Sequence, residues 1–281
     1  MHISFEYFPP KTRAGLTTLL QTTQQLKSFE PEFFSVTYGA AGSTQDHTLN
    51  TVLTLQHECK IHAAPHISCV EASQKKIRCL LHSYQQQGIH RLIVLRGDTP
   101  SGVLRGSNDF NYAYQLIEFI RKETGAYFFI ETAVYPEMHP ETLDPQKHME
   151  HFKMKVSAGA NRAITQYFYN PDAYFQLLDD CAKYQITIPI IPGIMPITNY
   201  TQLARFSQIC GAEIPRWLAV RLEKIKENPE AILKFGTEVV SRLCERLIEG
   251  GAPGLHFYTL NKAAPSVEIL KNLHYSFDLV Q

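Results

Sequence analysis

The stretch IHAAPHISCVEASQKKIRCLLHSYQQQGIHRLIVLRGD, residues 61–98, holds one complete β/α/β unit and sets the reading of the whole chain. Residues 61–69 form a β-rich run. Ser73 is then suited to accept from the first turn of a helix, and Gly88 stands where a helix C-terminus favours glycine. The apolar run 91–95 follows and stops at Arg96-Gly97-Asp98. Two strands joined by a helix of this length are parallel, and their crossover is right-handed.

The same alternation continues in both directions. Toward the N-terminus, a run at 2–8 precedes an amphipathic stretch at 13–29, and a run at 33–38 precedes another at 46–59. Toward the C-terminus, a helix at about 108–125 follows the Arg96 loop. The runs 127–135, 162–168, 187–191 and 254–259 are each followed by a helical pattern, at 145–158, 171–184, 199–249 and 264–273. The third of these patterns is expected to break near Pro215 and Pro229. Eight β/α units without a linker, in 281 residues, fit a (β/α)8 TIM barrel better than an open sheet, with residues 1–281 as a single catalytic domain. No GxGxxG follows a strand and no GxxxxGK[ST] occurs, so the doubly wound and P-loop folds lack their phosphate-binding device.

Composition excludes several classes. Lysine plus arginine equals aspartate plus glutamate at 27 each, so no overall field draws the chain to nucleic acid or an anionic membrane, and an anionic ligand must be held by local groups. The six cysteines form no CxxC pair and no cluster with histidine, which argues against zinc and for reduced thiols. The most apolar run, 188–197, carries Pro189, Pro192 and Pro196 and is too short to span a bilayer. Glu6 interrupts the only early apolar stretch, so no secretion signal is expected and the location implied is cytoplasmic.

In such a barrel the chemistry gathers at the C-terminal ends of the strands. The polar residues there are Glu6, Thr37, Tyr38, His66, Arg96, Gly97, Asp98, Tyr135, Glu137, His139, Gln166, Tyr258, Thr259 and Asn261. Alternation sets Glu6 opposite Phe5 and Tyr7 and so toward the barrel interior, where desolvation would raise its pKa and make it a proton donor near neutrality. The other reading of Glu6 is a carboxylate paired with a buried arginine or lysine. For Arg96-Gly97-Asp98 the choice is between a ligand cradle, with Gly97 admitting the ligand to the backbone, and an ion pair closing a turn. His66 is either a ligand contact or a satisfied core histidine. His148 and His151 are read as a solvated helix face, and the aromatics from Tyr167 to Phe175 as core. No metal site is expected. A barrel aldolase would need a strand-end lysine or a metal cluster, and neither is present.

The motifs resemble one family in order along the chain. They are SFEYFPP from Ser4, SVTYGA from Ser35, APH from Ala64, LRGD from Leu95, YPEMHP from Tyr135, AGANRAITQ from Ala158, IPGIMP from Ile191 and HFYTLN from His256. Together they resemble the methylenetetrahydrofolate reductases, in the bacterial form with the catalytic barrel only. The resemblance implies an FAD-containing barrel that reduces 5,10-methylenetetrahydrofolate to 5-methyltetrahydrofolate with NADH or NADPH as donor, within one-carbon metabolism and methionine biosynthesis, and a homo-oligomer. It makes Glu6 the general acid and sets Asp98 beside the flavin and the pterin. Thr37, His66, Arg96, Gly97, Asp98, Tyr135, His139 and Lys155 would hold FAD. Gln166, Tyr200 and Lys262 would join Glu6 in binding folate, with Tyr200 packing on folate or nicotinamide. His148, His151 and Met154 stand where the family pattern has acidic, amide and basic side chains, and Lys262 where arginine is common. The alternative reading is a catalytically idle folate- or flavin-binding subunit of a larger complex.

Overall fold

The computed structural model describes residues 1–38, 43–70, 72–97, 109–142 and 144–274. The strands are β1 (His2–Tyr7), β2 (Phe33–Val36), β3 (Ala63–Ser68), β4 (Arg91–Leu95), β5 (Phe129–Val134), β6 (Arg162–Thr165), β7 (Ile190–Ile191), β8 (Gly193–Ile194) and β9 (Gly254–Tyr258). The helices between and after them are α1 (Arg13–Lys27), α2 (Ser43–Glu58), α3 (Gln74–Gln86), α4 (Ala113–Thr124), α5 (Pro145–Ser157), α6 (Pro171–Lys183), α7 (Tyr200–Cys210), α8 (Arg216–Ile225), α9 (Pro229–Glu249) and α10 (Ala264–Asn272). All pairings are parallel, in the order β7-β6-β5-β4-β3-β2-β1-β9-β8. This is the (β/α)8 barrel that the alternation of segments implies.

The seventh stave differs from the single run at 187–191. Pro192 has no N–H to donate, and it divides the stave into two short pieces. Ile190 and Ile191 pair with β6, whereas Gly193 and Ile194 pair with β9. The split stave therefore joins the two edges and closes the cylinder. Gly193 is required here. A Cβ on it would lie 2.2 Å from Thr165 O and 2.6 Å from the Tyr258 ring, and the Tyr258 hydroxyl crosses that space to donate to Thr165 O at 2.7 Å.

The helix starts follow local chemistry. Ser73 Oγ accepts from Lys76 N, and Asp144 and Asn170 cap helices that begin with proline. The long region after the seventh stave breaks into α7, α8 and α9 at Pro215 and Pro229, as expected. Phe5 and Tyr7 point outward into the layer between strands and helices, where both are fully buried. A smaller inner layer of Phe33, Ala64, Ile93, Ile164 and Ile191 fills the middle of the cylinder.

Below that layer, at the N-terminal ends of the strands, lies a closed ionic plug. Arg91 contacts both Glu131 and Glu32, and Arg162 reaches Glu32 at 2.9 Å and Glu131 at 2.7 Å. Both guanidinium groups also lie over the Phe33 and Phe129 rings, Arg91 at 4.5 and 4.4 Å from the centroids. Burial alone would raise the Glu32 pKa, but Arg162 and Arg91 hold it below the usual carboxylate range. Two cations and two anions thus compensate each other, and the polar mouth at the opposite end is left for a site.

Candidate active site

A cavity of about 720 Å³ opens at the C-terminal ends of the strands, within the ~300–1,000 Å³ of small-molecule sites. Of the residues proposed from sequence, Glu6, Thr37, His66, Arg96, Gly97, Tyr135, His139, Lys155 and Gln166 all line it. Asp98 lies outside the described residues. Tyr200 and Lys262 are not among the lining residues. Tyr200, at the start of α7, packs against the outer core, and Lys262 is exposed. The aromatic that α7 does send into the cavity is Phe206, accompanied by Ile209 and Cys210.

Glu6 sits at the floor. Its strand end is fixed by Thr259, whose hydroxyl donates to Glu6 O at 2.6 Å, and by Asn261, whose amide bonds both the N–H and the carbonyl of Phe8. Among the described residues its carboxylate meets neither arginine nor lysine. Oε2 lies 3.3 Å from His66 Nε2 and 3.7 Å from His256 Nε2. The sequence reading of a raised pKa is overturned by these neighbours. Burial is the largest single influence and pushes the pKa up, but contacts with His256 and His66 together outweigh it and bring Glu6 to about 2. His66, expected to hold a cofactor, lines the cavity with its Nε2 directed onto Glu6. His256 was not singled out from sequence at all. The available signal was alternation, because Tyr258 stands out at the end of β9 and His256 shares its face two residues earlier.

A second group lies along one wall. Lys155 on α5 donates to Ala133 O, and burial together with Arg96 lowers its pKa to about 8. Arg96 is held by Glu141 at 2.8 Å and contacts His139 at 3.4 Å. Among the described residues no carboxylate is in ion-pair contact with Lys155, so this wall carries unneutralised positive charge facing the cavity. Gly97 has φ +78°, and a Cβ on it would stand 2.8 Å from Val70 Cγ2 and 2.9 Å from Ser68 Cβ. The close approach it permits is to the end of β3, from a position on the cavity lining.

His148 and His151 correct another expectation. They line the cavity with Phe152 and Lys155, at successive turns of one face of α5. His148 Nε2 contacts Tyr135 O at 3.0 Å, and burial lowers its pKa to about 4. His151 meets the Tyr112 ring at 5.2 Å. Glu137 stays out of the cavity. Its Oε2 accepts from Glu213 N at 2.7 Å, and burial raises its pKa to about 6. Tyr167, Phe168 and Tyr169 are buried core as expected, although Tyr167 also reaches the cavity wall. All six cysteines are free thiols, and among the described residues no potential metal ligands gather in a group of three.

A closed barrel whose mouth joins a buried carboxylate–imidazole cluster, an anion-receptive wall and an apolar cavity defines a small-molecule barrel enzyme. Comparison with known proteins narrows the class. The family model described as methylenetetrahydrofolate reductase matches residues 1–274, and the chain belongs to that family. The 5,10-methylenetetrahydrofolate reductases of Pectobacterium carotovorum and Escherichia coli are 36% and 35% identical over 273 residues, covering 97% of this chain and 90% of each relative. Methylenetetrahydrofolate reductase (NADH) 1 of Arabidopsis thaliana is 36% identical over 282 residues, which is 96% of this chain and 48% of that protein. Among solved structures, an uncharacterized Clostridium thermocellum protein that binds 5-methyl-5,6,7,8-tetrahydrofolic acid shares the fold. Its TM-score is 0.63 at 17% identity, covering 96% of this chain and 93% of that one. The chain is thus an enzyme of methylenetetrahydrofolate reduction.

Proposed function

We propose that the chain reduces 5,10-methylenetetrahydrofolate to 5-methyltetrahydrofolate in two alternating half-reactions at this cavity, with FAD as resident cofactor, NADH or NADPH as donor and Glu6 as general acid. The observation that carries this reading is the position of Glu6, a largely buried carboxylate at the cavity floor whose ionic neighbours among the described residues are imidazoles able to exchange a proton with it. The residues present fit the cofactor. Lys155 and Arg96 supply positive charge for its diphosphate, and Tyr135, His139 and His151 offer ring surfaces around them. FAD, when bound, supplies the carrier that accepts hydride from nicotinamide and delivers it to the folate methylene carbon.

The protein's own part is orientation and proton supply. Gln166, whose Oε1 accepts from Tyr167 N at 3.0 Å, leaves its amide N–H groups for the pterin. Phe206, Met195 and Ile209 form an apolar wall against which either substrate can lie. Glu6 delivers a proton to the folate nitrogen as its bond to the methylene carbon opens to the iminium. Asp98 is proposed, from the family resemblance alone, to face the flavin and pterin. No described helix is long and apolar enough to cross a membrane. The cytoplasmic location and homo-oligomeric state are proposed from the sequence reading and the family resemblance alone.

The experiment is anaerobic absorption spectroscopy of the FAD-reconstituted protein. NADH or NADPH should bleach the flavin band, and methylenetetrahydrofolate should restore it. Failure of the folate arm with intact bleaching would reduce the chain to an idle flavin-binding subunit. Failure of both arms would end the proposal.

A further inference from the structure

Three buried polar atoms near the cavity floor have no hydrogen-bond partner: Ser35 Oγ, His66 Nε2 and His256 Nε2. Leaving a buried polar group unpaired is costly, so three together call for a reason. The two imidazole nitrogens face one oxygen, Glu6 Oε2. Ser35 is level with Glu6 in the pairing of β1 with β2. Behind His256, Ser4 Oγ lies 2.7 Å from Nδ1, and both residues are almost wholly buried. Pairing of β1 with β9 sets Ser4 beside His256 and Glu6 beside Tyr258, so strand register alone lines up Ser4, His256 and Glu6. A histidine serving only the core would be satisfied at both nitrogens. His256 is satisfied at one and turns the other to the carboxylate.

We propose that His256, oriented by Ser4, is a positioning residue for the folate half-reaction that holds the proton which Glu6 delivers. This rests on the general-acid reading of Glu6 given above and deepens it. In the open site the carboxylate is ionised and the proton resides on the imidazole. On folate binding it passes from His256 Nε2 to Glu6 Oε2, and from there to the substrate nitrogen as the nitrogen–carbon bond breaks. His256 is left neutral, Glu6 is left as carboxylate, and one proton from solvent restores the starting state. Hydride arrives separately from the reductant, so the step needs no further reactant. The titratable groups facing Glu6 are His66 from β3 and His256 and Tyr258 from β9. The low pKa of Glu6 agrees with this geometry, because the contacts with His256 and His66 favour its ionised form.

His256→Gln keeps an amide near the Nε2 position but cannot carry a proton. In the FAD-loaded protein, rapid-mixing measurements should find the folate half-reaction slowed about 10²-fold or more relative to the nicotinamide half-reaction, the range of proton-transfer catalysis. The midpoint of its pH profile should move as well. Ser4→Ala, which leaves the ring in place, should move that midpoint in the same direction by a smaller amount, and it provides the readout if His256→Gln does not fold. Nitrogen NMR of the His256 ring should change at Nε2 when Glu6 is replaced by glutamine. Equal slowing of both half-reactions, or an unmoved folate pH profile, would overturn the proposal. If Glu6→Gln itself still reduced folate, the general-acid reading would fall first. If Glu6→Gln were inactive while His256→Gln kept the wild-type profile, only the present proposal would fall.

Discussion

At the N-terminal end of the barrel, Arg91 and Arg162 face Glu32 and Glu131, and each cation touches both anions. At the C-terminal end, Glu6 faces two imidazoles, and Lys155 stands beside Arg96 with no ion-paired carboxylate among the described residues. Both ends bury charge inside one cylinder, and they resolve it differently. The lower end is compensated within the protein and stiffens the fold. The upper end sets one carboxylate against two imidazoles and leaves Lys155 without a counter-ion among the described residues, which a ligand can answer.

Substitutions can break or sharpen this contrast. The largest stability effect is expected for Arg162→Met, which keeps the volume but leaves the fully buried Glu131 with Arg91 alone. A loss of about 3–5 kcal/mol should appear in urea unfolding, because one partner of a buried ionic group is removed. An unchanged midpoint would mean the plug is not compensating charge. Gly193→Ala should cost about 1–3 kcal/mol by overpacking, since the new methyl meets Thr165 O and Tyr258 where the barrel closes.

Lys155→Met tests the upper end and should not destabilise the protein. The folded-state pKa of Lys155 is lowered, so its charged form is disfavoured by folding, and that penalty is fully present below about pH 8 and relieved as pH rises toward the unfolded value. FAD affinity should fall roughly tenfold or more in this variant at neutral pH. In the wild type, affinity should weaken as pH rises through about 8, because binding the diphosphate then requires proton uptake. Titration of FAD against pH checks both statements, and a wild-type affinity flat across pH 7 to 9 would contradict them. The smallest effect is expected for Arg246→Ala, whose partner Asp172 is mostly exposed. Such a surface pair should leave the thermal midpoint unchanged within error.

The barrel was legible because parallel strands buried on both faces read as short apolar runs, each ended by proline, glycine or a polar cluster. The split of the seventh stave was less so, since the role of Pro192 emerges only when both neighbouring strands are in place. Most of the cavity wall could be located because strand ends point to one mouth. The proton state of Glu6 could not, because it depends on His66 and His256, brought to it from other strands. Besides His256, one other miss had a local signal. His148 and His151 share the helix face of Lys155 by i, i+3 and i+7 spacing, so the reading that admitted Lys155 should have admitted them. Phe206, and not Tyr200, reaches the cavity, because Tyr200 lies at the helix start against the outer core.

The most direct test of the working upper end is Glu6→Gln carried through the anaerobic cycle. The account predicts that NADH or NADPH still reduces the bound flavin, while reoxidation by methylenetetrahydrofolate slows by about 10²-fold or more. Equal loss in both halves, or an undiminished folate half, would contradict it.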